Sequence, residues 1–135
     1  MIHHGSCHCG KIGVDFETAI ALPSIPLRAC ACSFCRRHAA RTATDRNGRV
    51  TLTFHEEDVS RYAFGLRTAE FIICRHCGVY VAAVMEGLST INVNVLDDRE
   101  VFTQVAASQD YDGELADQRS ARRRANWTPT IIAAR

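Results

Sequence analysis

Apolar and polar residues alternate in several short stretches of this 135-residue chain. The clearest stretches are 11–17, 50–54 and 90–96, where isoleucine, valine, leucine or phenylalanine occupies every second position. A period of two places such side chains on one face of a β-strand. Further strands are predicted over 25–32, 61–64, 69–74 and 79–85. The pattern therefore predicts a mainly β protein built from short strands.

Two helices are predicted among these strands. A short one covers 36–41, and a longer one begins at Asp112 and runs to about Arg124. The longer segment has acidic residues early and arginines late, as the helix dipole favours. Pro129 is expected to end any continuation of that helix. No stretch approaches the roughly 20 apolar residues of a membrane span, and no linker divides the chain, so 1–135 is predicted to be one domain.

The seven cysteines carry the candidate chemistry, because all of them fall into three clusters. The clusters are Cys7 and Cys9, then Cys30, Cys32 and Cys35, then Cys74 and Cys77. Clusters of this kind are typical of zinc sites, and an odd number of cysteines fits a disulfide framework poorly. Four thiolates complete one tetrahedral site, so seven leave a second site one ligand short. With no signal-peptide pattern at the start, a reducing, cytoplasmic compartment is expected.

A glycine follows each of the two outer cysteine pairs, at Gly10 and Gly78, whereas an arginine follows the central cluster. Glycine lets the chain turn tightly and aim backbone N–H groups at the sulfurs, as a structural zinc site requires. The outer pairs are therefore predicted to form one closed site, which leaves the central cluster with three protein ligands. The alternative is pairing by proximity in sequence. It joins the first outer pair to Cys30 and Cys32 and leaves Cys35 with the second outer pair.

Four segments together resemble a known family. They are GSCHCG at 5–10, CACSFCR at 30–36, CRHCG at 74–78 and RRRANWTP at 122–129. The chain resembles the glutathione-dependent formaldehyde-activating enzymes and the centromere protein V group. The resemblance implies short antiparallel sheets around zinc, related to zinc ribbons and of the β-tent type, and two zinc ions per chain. It implies a structural zinc at Cys7, Cys9, Cys74 and Cys77, and a zinc where the reaction occurs at Cys30, Cys32 and Cys35.

The reaction implied by the resemblance is that of a carbon–sulfur lyase, in which glutathione adds to formaldehyde or a related aldehyde. An open zinc position can bind a thiol and lower its pKa. Arg36, Arg37 and Arg41 are the arginines nearest to the central cluster that could clamp the carboxylates of glutathione. The alternative is a second structural site closed by a nearby side chain. His38 is the first candidate for that ligand, followed by His8 and His55.

Two other classes of function stay open. The formal net charge of +1 gives no overall basic footprint for nucleic acid. Arg119, Arg122 and Arg123 nevertheless share one helix face that could meet phosphate. A zinc-dependent thiol or redox sensor without turnover is the third class, since three exposed thiolates oxidise readily after losing zinc. Tyr62, Tyr80 and Trp127 could line a pocket, although aromatic residues in strands more often serve packing.

Overall fold

The computed structural model describes residues 1–135 as eleven β-strands, two α-helices and four short 3-10 helices. In chain order the strands are β1 (Ile2–Ser6), β2 (Gly13–Glu17), β3 (Arg28–Cys30), β4 (Thr42–Ala43), β5 (Arg49–Phe54), β6 (Val59–Tyr62), β7 (Glu70–Cys74), β8 (Tyr80–Met85), β9 (Leu88–Asn92), β10 (Ala107–Gln109) and β11 (Thr128–Ala134). The helices are α1 (Ser33–His38) and α2 (Ala116–Asn126), and the 3-10 helices cover Leu22–Ser24, Glu56–Asp58, Val93–Val95 and Arg99–Val101. The mainly β class with a C-terminal helix is confirmed.

The strands form one branched sheet with the order β1-β2-β5-β11-β9-β4-β3-β10. A branch leaves β9 through β8 and β7 and ends at β6. Most pairs are antiparallel, as expected, but β11 pairs with β5 and β10 pairs with β3 in parallel. Strand β9 is the junction, because it bonds to β8, β4 and β11.

The main core consists of 22 buried residues, and the alternating residues of the predicted strands supply much of it. Val14 and Phe16 of β2 lie there with Val50, Leu52 and Phe54 of β5, because β2 and β5 are antiparallel neighbours that turn the same face inward. Cysteines of the two outer pairs are also part of this core. The central cysteine cluster packs in a separate, smaller group on the far side of β8.

The two predicted helices differ from those observed at their boundaries. Helix α1 begins at Ser33, three residues before the predicted start, because the Cys32 sulfur caps it by accepting from the Cys35 N–H. Helix α2 begins at Ala116 rather than at Asp112, because a turn precedes it and the Gln118 side chain accepts from the N–H of the N-cap residue. Neither helix has the length and apolar composition needed to cross a bilayer.

Helix α2 ends at Asn126, before Pro129 as expected, but a strand that the sequence did not predict follows it. Residues Thr128–Ala134 form β11, which inserts between β5 and β9. Pro129, which was expected only to stop the helix, is the second residue of that strand and lies opposite Leu88. A proline near a strand's start is tolerated because few ladder bonds are lost there. Strand β11 therefore fixes the position of α2 relative to the sheet.

Candidate metal centres and the adjoining cavity

The seven cysteine sulfurs form two groups, and within each group all sulfurs lie within 4.8 Å of one another. One group is Cys7, Cys9, Cys74 and Cys77, and the other is Cys30, Cys32 and Cys35. All seven cysteines are free thiols. No histidine nitrogen or carboxylate oxygen joins either group. The two groups are those that the glycine argument assembled, and pairing by proximity in sequence is not the arrangement observed.

The four-cysteine group is built from two similar turns that end in glycine. Gly10 and Gly78 have φ values of +84° and +78°, a left-handed conformation that strains residues with a side chain. Their N–H groups donate to the carbonyls of Cys7 and Cys74 at 3.1 and 3.0 Å. The N–H of Ile12 donates to the Cys7 sulfur at 3.3 Å. The turns therefore aim backbone donors at sulfurs, as a thiolate site needs.

The spacing of these four sulfurs fits zinc. The Cys7 and Cys9 sulfurs are 3.7 Å apart, and the Cys9 and Cys74 sulfurs are 3.5 Å apart. Four thiolates around zinc with bonds of about 2.3 Å lie roughly 3.8 Å from one another. Burial raises the pKa of Cys7 to about 12, which keeps this thiol protonated in the absence of a cation. A divalent ion would reverse that preference, so the four residues form a closed group suited to a structural metal.

The three-cysteine group lies where β3 ends and α1 begins. Cys30 is the last residue of β3, Cys32 is the N-cap of α1, and Cys35 lies in the first turn of α1. A hydrogen bond from Cys35 lowers the pKa of Cys30 to about 5, and the same bond together with burial raises the pKa of Cys35. Without a cation, the group therefore shares a proton. Three thiolates with no fourth ligand from the chain are the ligand set of a zinc site that keeps one position open.

A cavity of about 580 Å³ adjoins the three-cysteine group. The three sulfur-bearing residues line it, whereas none of the four residues of the other group does. Its aromatic lining residues are Phe64, Phe71, Tyr80, Tyr111 and Trp127, and its basic ones are Arg28, Arg36, Arg119, Arg122 and Arg123. The volume is within the range of about 300–1,000 Å³ that is typical of small-molecule sites.

Tyr80 of β8 both packs and faces this cavity. It is 2% exposed and lies against Phe71, with 5.6 Å between the ring centroids. Burial raises the pKa of its hydroxyl well above the ordinary value, with a further contribution from the nearby cysteines, so the group remains a proton donor at neutral pH. Trp127 also lines the cavity, whereas Tyr62 is 47% exposed and lies outside it.

The three arginines predicted to clamp a carboxylate do not act together. Only Arg36 lines the cavity. Arg37 donates to the Ser33 carbonyl at 3.0 Å on the outside of α1, and Arg41 donates to Asn94 Oδ1 and to a backbone carbonyl. The expected clamp is therefore corrected to one residue, because Arg37 points away from the cavity on α1 and Arg41 lies beyond the end of that helix.

His38 does not complete the three-cysteine group. Its ring packs on Phe34, with the centroids 4.4 Å apart, and its nitrogens are not among the atoms that cluster with the sulfurs. The other two histidine candidates, His8 and His55, are exposed and also lie outside the cluster. None of the three histidines therefore supplies the fourth ligand that a second structural zinc site would need.

The arginines that sequence reasoning placed on a basic surface belong to the cavity wall. Arg119 and Arg122 of α2 line it and both donate to Glu114 at 2.9–3.1 Å. Hydrogen bonds from Arg122 and Arg119 hold the pKa of that carboxyl below its usual range. Arg123 is buried beside them. The sequence predicted that these arginines share one face of a helix, but it did not predict that this face lines the cavity.

Comparisons with known proteins agree with this arrangement. A family model described as glutathione-dependent formaldehyde-activating enzyme matches residues 2–111, which include all seven cysteines. The crystal structure of a Rhodobacter sphaeroides protein, a structural-genomics target, superposes with a TM-score of 0.62 at 30% sequence identity, covering 78% of this chain and 99% of that chain. No protein of curated function matches the chain by sequence.

Proposed function

Because the chain belongs to the family of glutathione-dependent formaldehyde-activating enzymes, we propose that it joins a thiol, in the first place glutathione, to formaldehyde or a related aldehyde. In this reaction a sulfur–carbon bond forms, the carbonyl double bond becomes a single bond, and the thiol proton ends on the oxygen. The product is S-(hydroxymethyl)glutathione, and the reverse reaction is that of a carbon–sulfur lyase. No electron donor or acceptor is needed.

One observation supports the proposal most directly. The three-cysteine group, which has no fourth ligand from the chain, lines the cavity, whereas the four-cysteine group does not. We therefore assign two zinc ions per chain. Cys7, Cys9, Cys74 and Cys77 would hold a structural ion, and Cys30, Cys32 and Cys35 would hold the ion of the reactive site.

When bound by those three cysteines, zinc would supply an exchangeable position that binds a thiol and lowers its pKa. The chain's own residues do the rest. Tyr80 lines the cavity, and its hydroxyl remains protonated and donates to no protein atom, so it could donate to the aldehyde oxygen as negative charge develops there. The rings of Phe71 and Trp127 line the same cavity and make part of its wall apolar.

The test follows adduct formation by exchange NMR with ¹³C-formaldehyde and glutathione at fixed concentrations. Zinc-loaded protein is expected to raise the rate above the spontaneous reaction. Tyr80→Phe is expected to lower that gain about a hundredfold, as is typical for loss of a proton donor. Arg124→Met is the control, because Arg124 is exposed, pairs with Glu86 and lies outside the cavity. A rate equal to the spontaneous one in the zinc-loaded protein would refute the proposal.

A further inference from the structure

Arg123 is a buried cation that has no acidic partner. It is 8% exposed and lines the cavity. Its Nη1 donates to Thr68 Oγ1 at 2.7 Å and lies 3.8 Å from the sulfur of Met85. Its Nε is completely enclosed and has no acceptor, and no protein atom accepts from Nη2. Burying a guanidinium without an ion partner is costly, so an arginine in this state indicates a missing anion.

No acidic residue of the chain forms an ion pair with Arg123. The nearby carboxylate, Glu114, is occupied by Arg119 and Arg122, which take both of its oxygens at 2.9–3.1 Å. Asp110 and Asp112 line the cavity but form no ion pair with Arg123. The cavity wall carries five arginines against these two aspartates, and the three thiolates with one zinc ion would add a single negative charge. It therefore attracts anions, and Arg123 is the member of the set that is buried and unpaired.

The surroundings of Arg123 indicate which anion it would take. One face of the guanidinium lies 4.8 Å from the Trp127 ring, and the remaining contacts are a hydroxyl and a thioether. Such a site offers the N–H groups of Nη2 in apolar surroundings, which suits a singly charged carboxylate. A phosphate dianion would need more donors than Arg123 alone has left, since its Nη1 already donates to Thr68.

We propose that Arg123 binds a carboxylate of the substrate, and that the cavity therefore selects acids over neutral molecules of the same shape. That the carboxylate belongs to a substrate rests on the proposed function, whereas binding of the carboxylate itself does not. The carboxylate can belong to the thiol, as in glutathione, or to an aldehyde acid. In the first case the ligand spans the cavity, with its sulfur at the cysteines and its carboxylate at α2.

The experiment uses ligands that cannot react. Zinc-loaded protein is titrated with S-methylglutathione, with its diethyl ester, in which both carboxylates are masked, and with glycolate, which represents the acid of an aldehyde. Trp127 is the sole tryptophan of the chain and lies beside Arg123, so its fluorescence reports binding. Titration calorimetry in parallel detects binding that leaves the fluorescence unchanged. The variants are Arg123→Met and, as the matched neighbour on the exposed face, Arg124→Met.

We expect S-methylglutathione to bind at least about tenfold more tightly than its diester, as loss of one charge-assisted pair predicts. Arg123→Met should remove that difference, and Arg124→Met should preserve it. Binding of glycolate without binding of S-methylglutathione would assign the carboxylate to the aldehyde. Equal affinity for acid and diester, or no binding of either acid, would overturn the inference. If Arg123→Met does not fold, Arg123→Gln takes its place, because glutamine removes the charge and keeps a donor for Thr68.

This outcome is separable from that of the proposed reaction, because S-methylglutathione has no thiol. Protein that binds the acid through Arg123 but forms no adduct would contradict the proposed function and support the carboxylate site. Protein that accelerates the reaction but binds acid and ester equally would support the proposed function and contradict the carboxylate site.

Discussion

Cys32 has two separable roles, and two substitutions distinguish them. Its sulfur belongs to the three-cysteine group, and it also caps α1 by accepting from the Cys35 N–H at 3.3 Å. Cys32→Ser removes the thiolate and keeps an oxygen that can accept the same hydrogen bond, since serine is among the best N-cap residues. Cys32→Ala removes both. Each variant is expected to lose one zinc ion, and only the alanine variant loses the cap.

The size of each effect follows from where the residues lie. Loss of an N-cap costs about 0.5–2 kcal/mol, so Cys32→Ala should melt roughly 2–8 °C below Cys32→Ser. Both variants should stay folded, because the core group beside Cys32 has three buried residues against 22 in the main core. Cys74→Ser should behave differently. Cys74 lies in the main core, and structural zinc sites contribute about 10–16 kcal/mol, as much as the whole stability of a typical domain.

Two measurements are made on each variant. Plasma mass spectrometry gives the number of zinc ions per chain, and circular dichroism follows thermal unfolding. The expected pattern is two zinc ions in the unaltered protein, one in both Cys32 variants with the fold retained, and loss of cooperative folding in Cys74→Ser. Unfolding of Cys32→Ser to the same extent as Cys74→Ser would show that the three-cysteine site is structural. Two zinc ions in Cys32→Ser would show that this sulfur is not a ligand.

Three further changes test the packing around the sites. Glu114→Gln should destabilise the protein by about 1–2 kcal/mol, because two arginines lose their charged acceptor. The pKa of Glu114 is lowered in the folded protein, so its contribution is complete above the ordinary carboxyl pKa of about 4.3 and is lost only as the pH falls through the lowered value. Urea titrations should therefore give the same difference at pH 5.5 and at pH 8, and a difference that shrinks towards pH 5.5 would contradict this assignment. Ala39→Gly should raise stability by about 0.5–1 kcal/mol in the same assay, because Ala39 ends α1 in a left-handed conformation with a φ of 49°, which glycine adopts without strain. A loss of stability would show that packing of the methyl group outweighs this strain. Gly5→Ala should release β1, since a Cβ would lie 2.3 Å from the Val95 carbonyl oxygen, and unchanged hydrogen-exchange protection of the β1 amides would count against that.

The sequence predicted best those strands whose side chains alternate against the main core. Strand β2 lies within its predicted stretch and β5 begins one residue before its own, because burial of one face requires a period of two. The stretch 90–96 was predicted for the same reason, yet β9 ends at Asn92 and a 3-10 turn follows. The Asn92 side chain accepts from the Asn94 N–H and replaces a ladder bond. Alternation thus predicted which side chains are buried, but not whether the backbone that carries them is a strand or a 3-10 turn.

Strands β1 and β11 were missed because their pairing is set by distant partners. The sequence of β1, IHHGS, has no alternation of apolar and polar residues, and it is ordered by five register pairs with β2. Strand β11 aligns in parallel with β5, about eighty residues earlier, over five register pairs. Parallel pairing at such a separation has no signature in local sequence. The cysteine groups were easier to predict, because a metal-ligand set restricts both the number and the residue type of its members.

Helix α2 shows why the wall of a cavity is harder to predict than a metal site. In isolation its arginines form a basic stripe, and a stripe of that kind is ordinarily solvated. In the fold, Glu114 neutralises part of the stripe from just before the helix, and Trp127 covers another part from just after it. The helix also lies beyond residues 2–111, the part matched by the family, whereas all the cysteines lie within that part. Substitutions at Arg123 should therefore alter which ligands bind while leaving the zinc content at two, since no cysteine lies on α2.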